Sequence, residues 1–530
     1  MPSADYVIVG AGSAGCVLAN RLSEDPANRV LLIEAGGKSR SPNITIPAAF
    51  AKQFRTKLDW GYDSEAEPHC DGRSLFLPRG KSLGGSSSMN AMLYVRGRPL
   101  DYSLWEAKGA EGWGWDDVRP YFLKAENNER GASEDHGVGG PLNVMDAKSP
   151  RALTEQFLVA AEKTGIPRIA DYNGPEQDGA SLAQVTQKNG KRFSAADAYL
   201  KPVMKRANLD VITGAQVLRV ELDGTRATGV RYRDKKGIEQ LAVATKEVVL
   251  SAGSFGSPQI LMLSGIGPAG HLSEVGIPVA VESPGVGANL QDHPYHVAIW
   301  DIPGGGSLAD AEHPKYLAQW LLRKTGPLTS TVAEAFAFVR SRPGLPAADL
   351  QFHFAPAYFV DHGAGEYDGH AITIAPALVS PKSRGTVRLR SSDPGAKPRI
   401  LTNTLEHPDD VASLVAGVRI ARDIAVALGS TVGRELHPGS GVETDEDLVA
   451  DLRRRVELLY HPVGTCRIGT DDEAVVDPQL RVRGVSGLRV VDASVMPVIP
   501  GGNTNAPTIM IAERGADLIR GRVRAAAAVA

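Results

Sequence analysis

Cysteine is scarce in this 530-residue sequence: Cys16, Cys70 and Cys466 are the only three, and none forms a Cys-x-x-Cys pair. An odd, scattered set excludes a disulfide framework and a cysteine metal site, so no bound metal is expected, and the thiols fit a reducing compartment. No apolar run approaches the ~20 residues that a membrane-spanning helix needs, which leaves at most peripheral contact with a membrane. Charge of one sign is missing too. Lys and Arg total 58 against 61 Asp and Glu, a net charge of −3, so nucleic acid is not an expected partner. The strand pattern that begins by Asp5 leaves no room for a signal peptide, and the reading is a soluble cytoplasmic protein. No internal repeat occurs, and the single low-complexity stretch, alanines at 525–530, reads as a frayed end.

What is present is organised around Asp5-Tyr6-Val7-Ile8-Val9-Gly10-Ala11-Gly12-Ser13-Ala14-Gly15, a buried-strand pattern entering a glycine-spaced turn and then a helix. Gly10 permits the tight turn, Gly12 lets backbone approach a pyrophosphate, and Gly15 lets helix pack closely on strand, with the helix N-terminus offering amide donors to phosphates. A second apolar run, 29–33, ends in Glu34, nineteen residues after Gly15, where a carboxylate can accept from ribose hydroxyls. This context makes a dinucleotide cradle, without distinguishing FAD from NAD. Gly265-Ile266-Gly267-Pro268-Ala269-Gly270 matches the same spacing but follows a helix-like run, so it reads as a glycine-rich loop broken by Pro268.

A chain this long exceeds one compact core and implies two domains. Residues 35–78 form a long Gly- and Pro-rich excursion with Trp60, Tyr62 and His69, read as a surface loop or a lid. The glycine and serine loop from Arg79, Gly80 and Lys81 through Gly84, Gly85, Ser86 and Met89 to Asn90 offers donors at close backbone range, and the apolar sequel from Ala91, Met92 and Leu93 suggests that it is buried. Strand, glycine turn and helix recur from Val248 through Ala252 and Gly253, so the nucleotide domain resumes there. The runs 350–354, 371–375 and 385–390 follow one another without helices and predict an antiparallel sheet, with Gln351 and His353 on the polar face of a half-buried strand. The fold expected is α/β with α+β: a Rossmann-like FAD-binding domain from residues 1–155, 205–295 and 456–530, and a second domain on an antiparallel sheet from 156–204 and 296–455. His461 lies in a turn just before the chain re-enters the first domain, and local sequence leaves structural and functional roles both open. Asn503 and Asn505 precede a closing helix, where Asn505 reads as N-cap and Pro507 as a first-turn residue.

Together these motifs resemble the glucose-methanol-choline (GMC) flavin oxidoreductases. The likeness runs from Asp5 to about Ile519 and rests on motifs in order: the cradle with Glu34, the 79–90 loop, 251–268, Asn289-Leu290-Gln291-Asp292-His293, 461–467, and Asp492 with 503–507. It implies FAD under an antiparallel substrate domain and oxidation of an alcohol by hydride transfer to flavin, with a quinone-like acceptor. Residues implied to hold the cofactor are Gly10, Gly12, Ser13, Ala14, Gly15, Glu34, Arg79, Gly80, Gly84, Gly85, Ser86, Asn90, Ala91, Met92, Leu93, Val217, Ala252, Gly253, Asp492, Ala493, Asn505 and Pro507. His461 takes the position of the base, and Asn503 that of a partner on the same oxygen. Met89 stands where some members carry a histidine bound to FAD, so non-covalent FAD is expected. The resemblance is nearest to bacterial choline and medium-chain alkanol dehydrogenases, and Glu334 is either a carboxylate near substrate or a strand-face charge. Residues 316–322 and 336–339 supply apolar surface and no aromatic cage for a quaternary ammonium can be assembled, which favours uncharged primary alcohols. Choline oxidation, an oxygen-reducing oxidase and a FAD-containing lyase are the alternatives; a disulfide reductase would need a second cradle and a redox cysteine pair.

Overall fold

A computed structural model describes residues 2–38 and 40–523, so the expected frayed end at 525–530 lies outside it. In chain order, β1 (Ser3–Val9), α1 (Ser13–Leu22) and β2 (Val30–Glu34) open a first sheet. Helix α2 (Ala152–Lys163) and β3 (Gly179–Leu182) begin a second. Strands β4 (Leu209–Thr213), β5 (Gln216–Asp223), β6 (Arg226–Arg233) and β7 (Glu239–Leu250), with α3 (Gly253–Leu263), return to the first. The second sheet then continues through β8 (Pro294–Tyr295), β9 (Ala298–Asp301), α4 (Pro314–Arg323), β10 (Ala335–Val339), β11 (Leu350–Ala355), β12 (Ala371–Leu378), α5 (Pro408–Leu428), β13 (Glu435–His437) and β14 (Glu457–Leu458). Strand β15 (Leu488–Val490) and α6 (Asn505–Ile519) close the first.

The first sheet has seven strands in the order β4-β2-β1-β7-β6-β5, with β15 beside β7. Pairing is parallel from β4 through β2 and β1 to β7 and β15, and antiparallel across β5, β6 and β7. Val7 and Ile8 are fully buried because helices cover both faces, which is why β1 reads as a continuous apolar run. The carboxyl end of β1, where strand order departs in both directions, is where such a sheet takes its ligand.

The second sheet has eight strands, all antiparallel, in the order β13-β9-β12-β11-β10-β3, with β8 joining β12 to β14. One face packs on α2 and α5, where Phe157 stacks on Phe354 at 4.5 Å. Three expectations change here. Strand β11 is buried at all six residues, because the side carrying Gln351 and His353 faces the first domain instead of water. Residues Thr386–Arg388 leave the sheet and pair with Arg399–Leu401 in a separate ribbon against Tyr62 and Phe255. Strands β8 and β14 fall on the first-domain side of the 295/296 and 455/456 boundaries, yet pair within the second sheet. Among the described residues, no helix is long and apolar enough to cross a membrane.

Candidate active site

A cavity of about 320 Å³ runs from the carboxyl end of β1 to the inner face of the second sheet. At the cradle end Gly10 has φ +94° and leaves no space for a side chain, a Cβ there falling 2.6 Å from the Ser251 carbonyl oxygen. A Cβ on Gly15 would sit 1.8 Å from the Gly10 oxygen, so Gly15 serves packing and lies off the cavity wall. Gly12 is different: its nearest Cβ neighbour is the Ser251 oxygen at 3.9 Å, and it opens on the cavity as N-cap of α1 with no side chain capping the helix. Uncapped first-turn amides beside an open glycine fit a phosphate group. Ser13 and Ala14 share this wall, and the Ser13 hydroxyl donates to Asn505 Oδ1 at 2.7 Å, tying the N-termini of α1 and α6 together. Glu34, buried at the end of β2, accepts from the Ala11 and Gly36 amides at 2.8 and 2.7 Å while lining the cavity, and burial raises its carboxyl pKa.

The loop after residue 78 forms the next stretch of wall, with Arg79, Gly80, Gly85, Ser86, Met89, Asn90, Ala91 and Leu93. Asn90 is fixed by Oδ1, which accepts from Arg192 at 2.8 Å and from the Met92 amide at 3.0 Å. The partly buried Arg79 guanidinium donates to the carbonyls of Pro78 and Tyr460, and desolvation lowers its pKa. Val217, Ala252, Gly253, Asp492 and Ala493 complete this end. The Asp492 carboxylate holds the backbone of Gly253 at 2.9 Å and of Ser494 at 2.8 Å, so its role in the wall is to join β15 to α3.

At the far end three side chains stand in a row. Asn503 Nδ2 lies 3.2 Å from His461 Nε2, and His461 Nδ1 lies 3.0 Å from His293 Nδ1. Gln351 donates to Asn503 Oδ1 at 3.2 Å, orienting the amide so that its N–H points at His461. The tautomer consistent with this row has Nε2 accepting and the His461 proton on Nδ1, toward His293. Asp292 fixes the turn by accepting from the backbone of His461 at 2.7 Å and of His293 at 2.8 Å. Burial pushes the Asp292 carboxyl up to about 7 against the pull of Arg79. Burial, and then His293, His353 and Arg79, hold His461 well below the ordinary imidazole range, and burial brings His293 to about 3. Phe50, Phe54, Val332, Ala333, Ala355 and Phe359 supply apolar walls around this row.

Sequence profiles of GMC oxidoreductases match residues 4–295 and 381–512. The chain belongs to the GMC oxidoreductase family. An alcohol dehydrogenase [acceptor] of Pseudomonas putida is 45% identical, over 97% of this chain and 95% of its own length. An oxygen-dependent choline dehydrogenase of Rhizobium etli is 44% identical, over 98% and 96%. The crystal structure of pyridoxine 4-oxidase from Mesorbium loti superposes with a TM-score of 0.88 at 33% identity, covering 97% of this chain and 98% of that one.

Within the GMC frame several expected site residues stand elsewhere. Glu334 does not line the cavity. Its carboxylate, 1% exposed, accepts from Ser330, Thr154 and the Arg151 amide at 2.6 to 2.7 Å, so it is neither a substrate contact nor a solvated strand charge. Gly84 (φ +92°) and the buried Met92 (φ +60°) shape the loop from behind, and Pro507 is buried in α6. The N-cap of α6 is Thr504, which leaves the Asn505 side chain free for Ser13. Residues 316–322 lie on α4, away from the cavity, and Phe336 and Phe338 pack on Tyr172 in the core. The glycines at 265–270 are not an open loop: Ile266–Gly267 is a short strand paired with Val281–Glu282, Gly270 lies in the helix Ala269–Glu274, and Gly265 packs against the Pro278 carbonyl. Two functional candidates were missed. His353 lines the cavity with both ring nitrogens unpartnered and its pKa lowered by burial to about 4, and His293 backs His461. The alternation in 350–354 already placed His353 opposite the apolar side; what it lacked was the identity of the covering layer.

Proposed function

We propose that this protein oxidises an uncharged primary alcohol to the aldehyde, using non-covalently held FAD and passing electrons to a quinone-like acceptor. The observation that carries this reading is the Asn503, His461 and His293 row opening on an apolar chamber that is continuous with the glycine cradle. FAD, when bound along the cradle and the 79–90 loop, supplies the hydride acceptor. Burial keeps His461 neutral with its proton on Nδ1 toward His293, and a substrate hydroxyl that takes the place of the Asn503 N–H at Nε2 gives its proton to that lone pair. The Asn503 amide donates to the oxygen as it gains charge without competing for its proton. The N-terminal amides of α6 favour negative charge at this end of the cavity.

Glu34 and Asp492 are the only acids in the cavity wall among the described residues, and both are engaged with backbone amides at the cradle end. A quaternary ammonium would find no countercharge at the substrate end, so apolar alcohols are favoured over choline. The name of the Pseudomonas putida relative, an alcohol dehydrogenase [acceptor], supports the alcohol and the passing of electrons to an acceptor. Anaerobic reduction of the bound flavin across linear and aromatic alcohols and choline tests the reading. Linear primary alcohols are expected to bleach it at the higher kcat/KM; a preference for choline reverses the substrate assignment, and no bleaching by any alcohol leaves the lyase.

A further inference from the structure

Helix α4 turns one face inward, where Trp320 is buried and donates through Nε1 to the Gly190 carbonyl at 2.8 Å. At about 100° per residue, Leu317, Leu321, Pro314, Ala318 and Leu322 fall on one continuous arc. All five are exposed, the leucines by 45%, 56% and 84%. Of the ten exposed large hydrophobic side chains among the described residues, these three leucines form the largest set on one helix and include the most exposed of all, Leu322, whereas Leu100 and Leu104 on the helix Pro99–Ala107 are only 37% and 41% exposed.

The surroundings are cationic. Lys315 and Lys324 flank the arc, Arg323 is exposed, and Lys188 and Lys191 stand on the hairpin that packs against the end of α4. The amines of Lys315, Lys324 and Lys188 lie over the rings of Tyr316, Trp320 and Phe193, at 4.7, 4.1 and 5.4 Å. The neighbouring acids are engaged elsewhere: Glu312 with Lys52 at 2.6 Å, and Asp310 with Arg151 at 3.3 Å and the Tyr316 hydroxyl at 3.0 Å.

We propose that α4 docks this protein on the surface of an anionic lipid bilayer, with its leucine arc at the headgroup boundary and its lysines on lipid phosphates. A second copy of the chain fits poorly, since a two-fold contact of this face with itself would oppose the flanking cations. The position is useful to the cavity. Beyond α4 the chain turns at Pro327–Thr329, packs on the 47–53 segment that carries Phe50, and supplies Thr331, Val332 and Ala333 to the wall. Docking stands on the helix itself, while delivery of lipid-dissolved alcohol or quinone to that wall rests on the function proposed above.

The full chain should float with vesicles of phosphatidylcholine and phosphatidylglycerol but not with phosphatidylcholine alone. Binding should weaken as salt shortens the Debye length from roughly 10 Å to about 3 Å. The double variant Leu321→Glu with Leu322→Glu should lose about tenfold or more of this partitioning, and Lys315→Glu with Arg323→Glu should flatten the salt dependence. Dye-linked alcohol oxidation without lipid should be unchanged in both. Absent vesicle binding, or binding equal in the leucine variant, overturns the proposal, as does a lipid-free dimer that the leucine variant converts to monomer. Vesicle binding without alcohol turnover would leave the docking intact and remove the function.

Discussion

His461 carries the largest expected single-residue effect. Its replacement by Ala should slow flavin reduction roughly 10²- to 10⁴-fold while leaving flavin bound, because the proton acceptor goes and the cradle stays. Asn503→Ala should do less, since it removes a donor to the oxygen and no proton acceptor. Stopped-flow reduction at an unchanged rate in His461→Ala would take the residue out of the mechanism. The pH profile follows from the lowered His461 pKa. Neutral imidazole is the working form, so the reduction rate should hold as pH falls through the ordinary value of about 6.5 and decline only below it. A fall centred near 6.5 would mean that His461 meets more water than its burial allows. These roles were legible to different degrees. The cradle glycines answer to local geometry that sequence carries directly, whereas His293 and His353 acquire meaning only when two distant segments close over His461.

At the scale of elements, the segment that follows the cavity-lining Leu93 is anchored by a buried polar cluster. Arg96 donates to Glu126, and His136 bridges Glu126 at 3.1 Å to Asp171. Burial opposes charge on His136, but the bonds to Asp171 and Glu126 outweigh it and raise its pKa to about 9. The folded value lies above the ordinary 6.5, so this contribution to stability is complete below 6.5 and fades as pH rises through about 9. The Tm gap between the native chain and His136→Gln should therefore narrow from pH 6 to pH 9.5; a constant gap would show that the imidazole stays neutral throughout. The misreading of 316–322 also belongs to this scale. Amphipathic periodicity identifies a helix with two unlike faces, but which face meets the protein depends on a hairpin contributed from 188–191.

For the whole molecule, the cofactor and acceptor assignments are testable on one preparation. Acid precipitation should leave yellow flavin in the supernatant, since Met89, which lines the cavity, holds the position that the family resemblance gives to a flavin-linking histidine; flavin in the pellet would contradict this. Turnover should be faster with an artificial quinone or dye than with oxygen, and the reverse ranking would make the protein an oxidase. The two-sheet architecture was readable from the alternation of strand–helix and strand–strand order, but the exchange of β8 and β14 between sheets was not, because two-residue strands carry no periodicity.

The bond between Ser13 and Asn505 spans 492 residues, and it has a consequence in time. A ribosome adding about 5–20 residues per second leaves the first glycines waiting roughly 25–100 s for the helix that completes their pocket. Through that interval β1 has β2 beside it, then β7, but lacks the layer supplied by α6. The nascent cradle is thus an early-made, late-finished part, exposed to chaperones and proteases until α6 is joined, and truncations that remove α6 should be felt first at the cradle.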